Sequence, residues 1–199
     1  MHSTKTSRPV GRPREFDEDK VLEAAMDAFW RKGYEATSLV DLTSSTGLNK
    51  ASLYRVFGDK HSLFMAALRN YADREMRESR AVVDESRSPL TNIRAVVRKV
   101  ISDFAHEKGC LMINSLVELG PHDNEVAELL QSFSSTRVEA LAGMIVLAQQ
   151  AGEIRADLDP ARLAQSLMIT LAGSAAMARG FLPRQVICEN LEILIDSWT

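Results

Sequence analysis

Residues 37–63 read TSLVDLTSSTGLNKASLYRVFGDKHSL, and the rest of the chain is organised around them. Thr37 or Ser38 can cap a short helix over residues 38–45, and Ser38 with Asp41 has capping-box spacing. Gly47 makes a turn, and Asn49 caps a second short helix over about residues 50–56. Gly58-Asp59 breaks the chain and restarts it as a long helix from Lys60 to about Arg80. Leu48, Leu53, Val56 and Phe57 can pack inward, which leaves Lys50, Ser52, Tyr54 and Arg55 outside. Two cations, a hydroxyl and a tyrosine on one short exposed helix suit a DNA major groove. Lys50 and Arg55 can donate to guanine edges or to phosphates, and Ser52 is short enough to permit close approach. An ordinary solvated helix face is the alternative for the same residues.

Upstream of this stretch, Val21, Leu22, Ala25, Ala28 and Phe29 recur at three- and four-residue spacing, the apolar face of a helix over residues 17–32. Asp17 caps it, Phe16 can staple onto Val21, and Gly33 stops it. Three helices with a tight turn at Gly47 have the layout of a helix-turn-helix. Beyond Pro89, helices are predicted at about 90–107, 111–119, 124–150, 160–179 and 184–197, separated by Gly- and Pro-containing breaks. No strand-and-hairpin pattern and no internal repeat appears. The predicted fold class is all-α: a basic arm over 1–14, a helix-turn-helix domain over 15–60, and a larger helical domain over 61–199.

The 199 residues are 45% hydrophobic and 26% charged, the balance of a globular protein. The net charge of −3 argues against nucleic acid until its distribution is considered. Residues 1–60 carry ten Lys/Arg against nine Asp/Glu, and residues 61–199 fourteen against eighteen. Lys5, Arg8, Arg12 and Arg14 fall in an acid-free N-terminal stretch that reads as a DNA arm or as a solvated tail. No apolar run reaches the ~20 residues of a membrane span. The polar, basic start is not a secretory signal. Two cysteines, Cys110 and Cys188, make no disulfide framework, so a reduced cytoplasmic setting is expected.

Residues 11–70 resemble the DNA-binding domain of the TetR family of repressors. The resemblance rests on Ala25 and Phe29 through Gly33-Tyr34, on Thr37-Ser38-Leu39, on Gly47-Leu48-Asn49-Lys50, and on Leu53 through Lys60 followed by Leu63. The remainder is similar to the family in length and helix count. The resemblance implies a phosphate held at Thr37 and Ser38, where free N–H groups and the dipole face the anion. It implies base reading from Lys50, Ala51, Ser52 and Arg55, and phosphate contacts from Tyr54 and Lys60. Arg12 and Arg14 would enter the adjacent minor groove. Val40 departs from the pattern: some relatives place a base-reading arginine there, so this chain reads that base by methyl contact or not at all.

The resemblance further implies a homodimer on a near-palindromic double-stranded operator, joined through the last two helices, and an unknown small-molecule effector. The stripes Leu163, Leu167, Leu171, Ala175 and Leu191, Leu194, Ile195, Trp198 can serve that interface or the protomer's own core. Candidate effector contacts are Phe104, Met112, Asn114, Glu118, Phe133, Met144, Met168 and Met177, with plain core packing the alternative for each; Leu116 belongs to the same set. Cys110 opens a helix after His106 and Lys108, a setting that lowers a thiol pKa. Its Gly-Cys-Leu segment is similar to one in electrophile- and oxidant-sensing members, which makes Cys110 a candidate sensor or a small structural residue. His106 and Cys110 have i,i+4 spacing without a third ligand, so no metal and no cofactor is assigned.

Two other classes compete. An enzyme would need a catalytic constellation, and the chain has no Gly-rich phosphate loop, no H-E-x-x-H and no nucleophile elbow. A helical interaction module would not need Lys50, Tyr54 and Lys60 in register. Activation in place of repression is a variant within the regulator class.

Overall fold

The computed structural model describes residues 17–104 and 108–199. Every regular element among them is a helix: α1 (Glu18–Lys32), α2 (Leu39–Thr46), α3 (Lys50–Phe57), α4 (Lys60–Ala81), α5 (Pro89–Phe104), α6 (Leu111–Glu118), α7 (Asn124–Gln150), α8 (Pro160–Met177) and α9 (Arg184–Asp196). None of these is long and apolar enough to cross a membrane.

Side chains next to each start explain most of the boundaries. Asp17, Ser38, Asn49, Asp59, Asp123 and Asp159 each accept a backbone N–H from the first turn of the helix they precede. At Ser38 the box is reciprocal, since Asp41 accepts back from the Ser38 N–H. Gly47, at φ 69°, ends α2 in the left-handed region and turns the chain into α3. The expected staple from Phe16 and the expected arm residues Arg12 and Arg14 lie outside the described residues, as does the continuation of α5 past Phe104.

Two apolar clusters hold the helices. The first joins Phe29 (α1), Leu42 (α2), Leu53 (α3) and Phe64 (α4) to Met112 (α6) and Val126 (α7). The helix-turn-helix therefore shares one core with the front of the larger domain. The second joins α5, α7, α8 and α9 around Ile93, Ile145, Leu167 and Leu191. Leu167, Leu171, Ala175, Leu191, Ile195 and Trp198 are buried within the protomer, so those stripes are its own core. The same two helices leave Ile169, Met177 and Ile193 exposed on other faces.

Candidate nucleic-acid interface and effector cavity

Lys50, Ala51 and Arg55 are exposed on α3, while Ser52 and Tyr54 are half-buried. Leu53 is fully buried and pins the helix to the core. The Lys50 ammonium stands 5.7 Å from the Tyr54 ring centroid, so cation and phenol share one patch. Val40, at the start of α2, is 74% exposed beside a helix whose other apolar residues turn inward, as a methyl contact to a base requires. Lys60 is folded back: its Nζ lies 4.4 Å from the Tyr34 ring centroid and donates to the Glu35 carbonyl at 3.4 Å.

The start of α2 differs from expectation. Thr37 is fully buried, and its hydroxyl donates to the Gly33 carbonyl at 2.5 Å, so its side chain is a strut between α1 and α2. The exposed Ser38 hydroxyl donates to Asp41 at 2.7 Å. Lys32 then pairs with Asp41 at 2.5 Å, and this ammonium and Ser38 hold the Asp41 carboxyl well below the usual range. The helix N-terminus thus already carries an anion, which weakens it as a phosphate site. Thr37→Val is expected to cost about 1–3 kcal/mol of stability in a urea melt, because it removes the buried hydroxyl that answers the part-buried Gly33 carbonyl. The salt dependence of DNA binding should not change.

Two groups of contacts tie this head to the body, and a third binds α4, which continues from it, to the start of α7. The N–H groups of Tyr34 and Glu35 both donate to the Glu118 carboxylate at the end of α6, each at 2.9 Å. Gly33 makes room: its φ is +85°, and a Cβ there would fall 2.8 Å from Glu118 Oε2. The Trp30 indole donates to the Gly109 carbonyl at 3.1 Å, and Lys108 pairs with Asp27. Across α4, His61 meets Asp123 at 2.7 Å and Arg69 meets Glu125 at 2.8 Å.

Phe104, Cys110, Met112, Phe133 and Met168 come together around one largely apolar cavity of about 220 Å³ between α5, α6, α7 and α8; Leu116 joins them. The other candidates lie elsewhere. Met144 lines a smaller cavity of about 70 Å³. Asn114 and Glu118 line a cleft near Trp30 and Arg179. There Asn114 donates to the Lys108 carbonyl at 2.8 Å and accepts from Arg179 at 3.2 Å, so internal partners answer its polarity. Met177 is exposed and belongs to none of these three cavities. Sequence reasoning missed Arg137, which lines both the largely apolar cavity and the smaller one; it sits in a polar run of α7 that gives no periodic cue.

Residues 21–67 match the family described as bacterial regulatory proteins, tetR family, and residues 88–186 match the tetracyclin repressor-like C-terminal domain. The chain is 35% identical over 173 residues to the HTH-type transcriptional repressor ComR of Escherichia coli strain K12, covering 85% of this chain and 82% of ComR. The chain belongs to the TetR family. It is a DNA-binding regulator of transcription. It is also 32% identical over 166 residues to the uncharacterized regulator YezE of Bacillus subtilis strain 168, covering 79% of this chain and 84% of YezE. Among solved structures it is similar to a cysteine-substituted form of the TetR-family regulator CifR in complex with 26-base-pair operator DNA. That likeness has a TM-score of 0.83 at 29% identity and covers 95% of this chain and all of the other.

In this TetR-family chain the premise of a low thiol pKa at Cys110 is not met. Burial pushes the thiol up, and this outweighs the N–H groups of Ile113 and Met112 and the Tyr71 hydroxyl 3.8 Å away, which favour the thiolate. Lys108 spends its charge on Asp27. Alkylation of Cys110 by iodoacetamide is therefore expected to be slow at pH 7, rising about tenfold per pH unit while the pH stays below the raised pKa. Mass spectrometry of the Cys110 peptide over pH 7–9 measures this. His106 lies outside the described residues. Glu75, Glu78 and Asp103 gather three carboxylates that could hold a cation, but Lys99 already bonds Glu78 at 2.6 Å and Asp103 at 2.5 Å.

Proposed function

We propose that the protein is a homodimeric repressor, active in the cytoplasm and without catalysis, that leaves a near-palindromic operator when a small effector fills the cavity beside Cys110. One observation carries this reading: α6 serves both ends. Met112 and Leu116 of α6 wall the cavity, and Glu118 of the same helix holds the loop between α1 and α2. Glu35, whose N–H is held by Glu118, also accepts from Lys60 at the start of α4. A shift of α6 is thereby passed to the orientation of α3.

The exposed residues Ile169, Met177 and Ile193 on α8 and α9 would face the second protomer, and two-fold symmetry would set the half-sites one helical turn apart. ComR is named a repressor, and the CifR structure holds operator DNA. An effector acts through its different affinity for the bound and released states, with a coupling of roughly 1–3 kcal/mol. Cys110 in the cavity wall also offers a covalent route, in which an electrophile seated there modifies Sγ. A Cys110→Ser protein still released by every electrophile that releases the wild type would exclude that route.

The test is binding of the pure protein to its own upstream DNA over a salt series. Tight binding to a short palindrome that weakens steeply with salt supports the reading. A protein for which selection from random DNA yields no preferred sequence would refute it. In Glu118→Ala, operator affinity is expected to fall about tenfold or more with an unchanged salt slope, because positioning is lost while every phosphate contact remains. Amide exchange at Tyr34 and Glu35 should accelerate in the same variant.

A further inference from the structure

The walls of the largely apolar cavity are supplied by side chains such as Val100, Phe104, Met112, Phe133 and Met168; Ser134 adds a hydroxyl, and Arg137 on α7 is the charged residue among the lining. Its guanidinium carbon lies 5.4 Å from the Phe133 ring centroid, so the cation is laid along an aromatic wall of the cavity. Among the described residues no carboxylate stands within ion-pair distance of it. Glu78 and Asp103 are spent on Lys99. Glu75, on α4, is 4% exposed and is the carboxylate whose charge Arg137 feels: burial and Asp103 push its pKa up, while Lys99 and Arg137 pull it down, and it makes no ion pair with Arg137 among the described residues. The positive charge therefore faces a largely apolar space, with no anion bonded to it among the described residues. An anion entering the cavity would meet this cation beside apolar walls that exclude water, which strengthens their attraction.

We propose that this cavity takes a small organic carboxylate, its apolar body against Phe104, Met112, Phe133 and Met168 and its carboxylate paired with Arg137. The planar guanidinium fork matches a carboxylate through two parallel N–H donors. A single cation balances a monoanion, and a phosphate dianion would leave a charge unpaired in apolar surroundings. An amine would meet Arg137 as a like charge. The volume of about 220 Å³ excludes drug-sized molecules and suits a single ring or a short chain. This inference rests on the cavity being the effector site and names the class of effector.

The experiment is calorimetric titration of the DNA-free, full-length protein with benzoate, phenylacetate, hexanoate and octanoate, each compared with its primary amide, and with hexylamine. At least one carboxylate is expected to bind about tenfold or more tightly than its amide. In Arg137→Gln that advantage should vanish while amide binding stays, and Arg137→Lys should restore part of it. The wild-type comparison of acid with amide stands even where a variant fails to fold. Equal binding of acids and amides, or no binding of any of the four acids up to about 10 mM, overturns the proposal. Operator titration in parallel separates the two readings. Acid binding that leaves operator affinity unchanged refutes the effector role and upholds the carboxylate pocket. Operator release by amides as readily as by acids does the reverse.

Discussion

Replacing Lys50 and Arg55 together by alanine is expected to abolish operator binding at physiological salt. Both side chains are exposed on α3, and neither forms an ion pair among the described residues, so the fold does not depend on them. Each contact to a base edge or phosphate is worth about 1–3 kcal/mol, and a dimer presents each side chain twice. Four lost contacts remove at least ~4 kcal/mol, a factor of about 10³ or more in affinity. Fluorescence anisotropy on a labelled operator over a salt series measures the loss. The single variants also tell the two roles apart. A phosphate contact lowers the slope of log K against log salt by about one and weakens all sequences alike, whereas a base contact relaxes discrimination at one position. A double variant that binds within a few-fold of wild type would remove α3 as the recognition element. Thermal melting should show wild-type stability, which separates this loss from unfolding.

Phe64→Ala should cost about 3–5 kcal/mol of folding stability. Phe64 is 2% exposed and meets the edge of Phe29 at 5.1 Å and the Tyr34 ring at 4.9 Å between centroids. These rings sit where α1, α4 and the Glu118-bound loop converge, so the cavity left behind has stiff walls on several sides and cannot collapse. Urea denaturation should show a lower midpoint with little change in slope. Phe64→Leu, which keeps most of the volume, should recover more than half of the loss. Equal midpoints for wild type and Phe64→Ala would mean that the head and body do not share a core.

Short-range chemistry was legible in the sequence. Asp17, Ser38 with Asp41, and Asn49 announced the starts of α1, α2 and α3, because a cap and its partner N–H lie three residues apart. Around the buried Leu53 the helical period leaves Lys50 and Arg55 exposed on α3, as expected, while Ser52 and Tyr54 of the expected outward set are half-buried. What depends on how the chain turns between helices and how the helices pack was not legible. Thr37 looks like a phosphate ligand until the carbonyls of Gly33 and Ala28 are seen to take its hydroxyl. Cys110 has the local environment of a reactive thiol, but packing against other helices reverses the sign of its shift. Glu118 reads as a polar group in need of a ligand, and its partners are backbone amides more than eighty positions away. Periodicity marked the leucines of α8 and α9 as apolar, but it could not tell the face that packs on α5 and α7 from the face bearing Ile169 and Ile193.

Glu118 grips main-chain N–H groups, and every residue except proline supplies one. The joint between sensor and reader is therefore indifferent to the identity of the side chains that contact DNA. The exposed positions within 39–57 can be rewritten for a new operator with Leu42 and Leu53 kept, and the joint survives as long as Gly33 is kept and no proline enters at 34 or 35. Recognition and response are free to drift apart in sequence while remaining mechanically connected. A chain built this way lends itself to interchangeable readers on a single sensor.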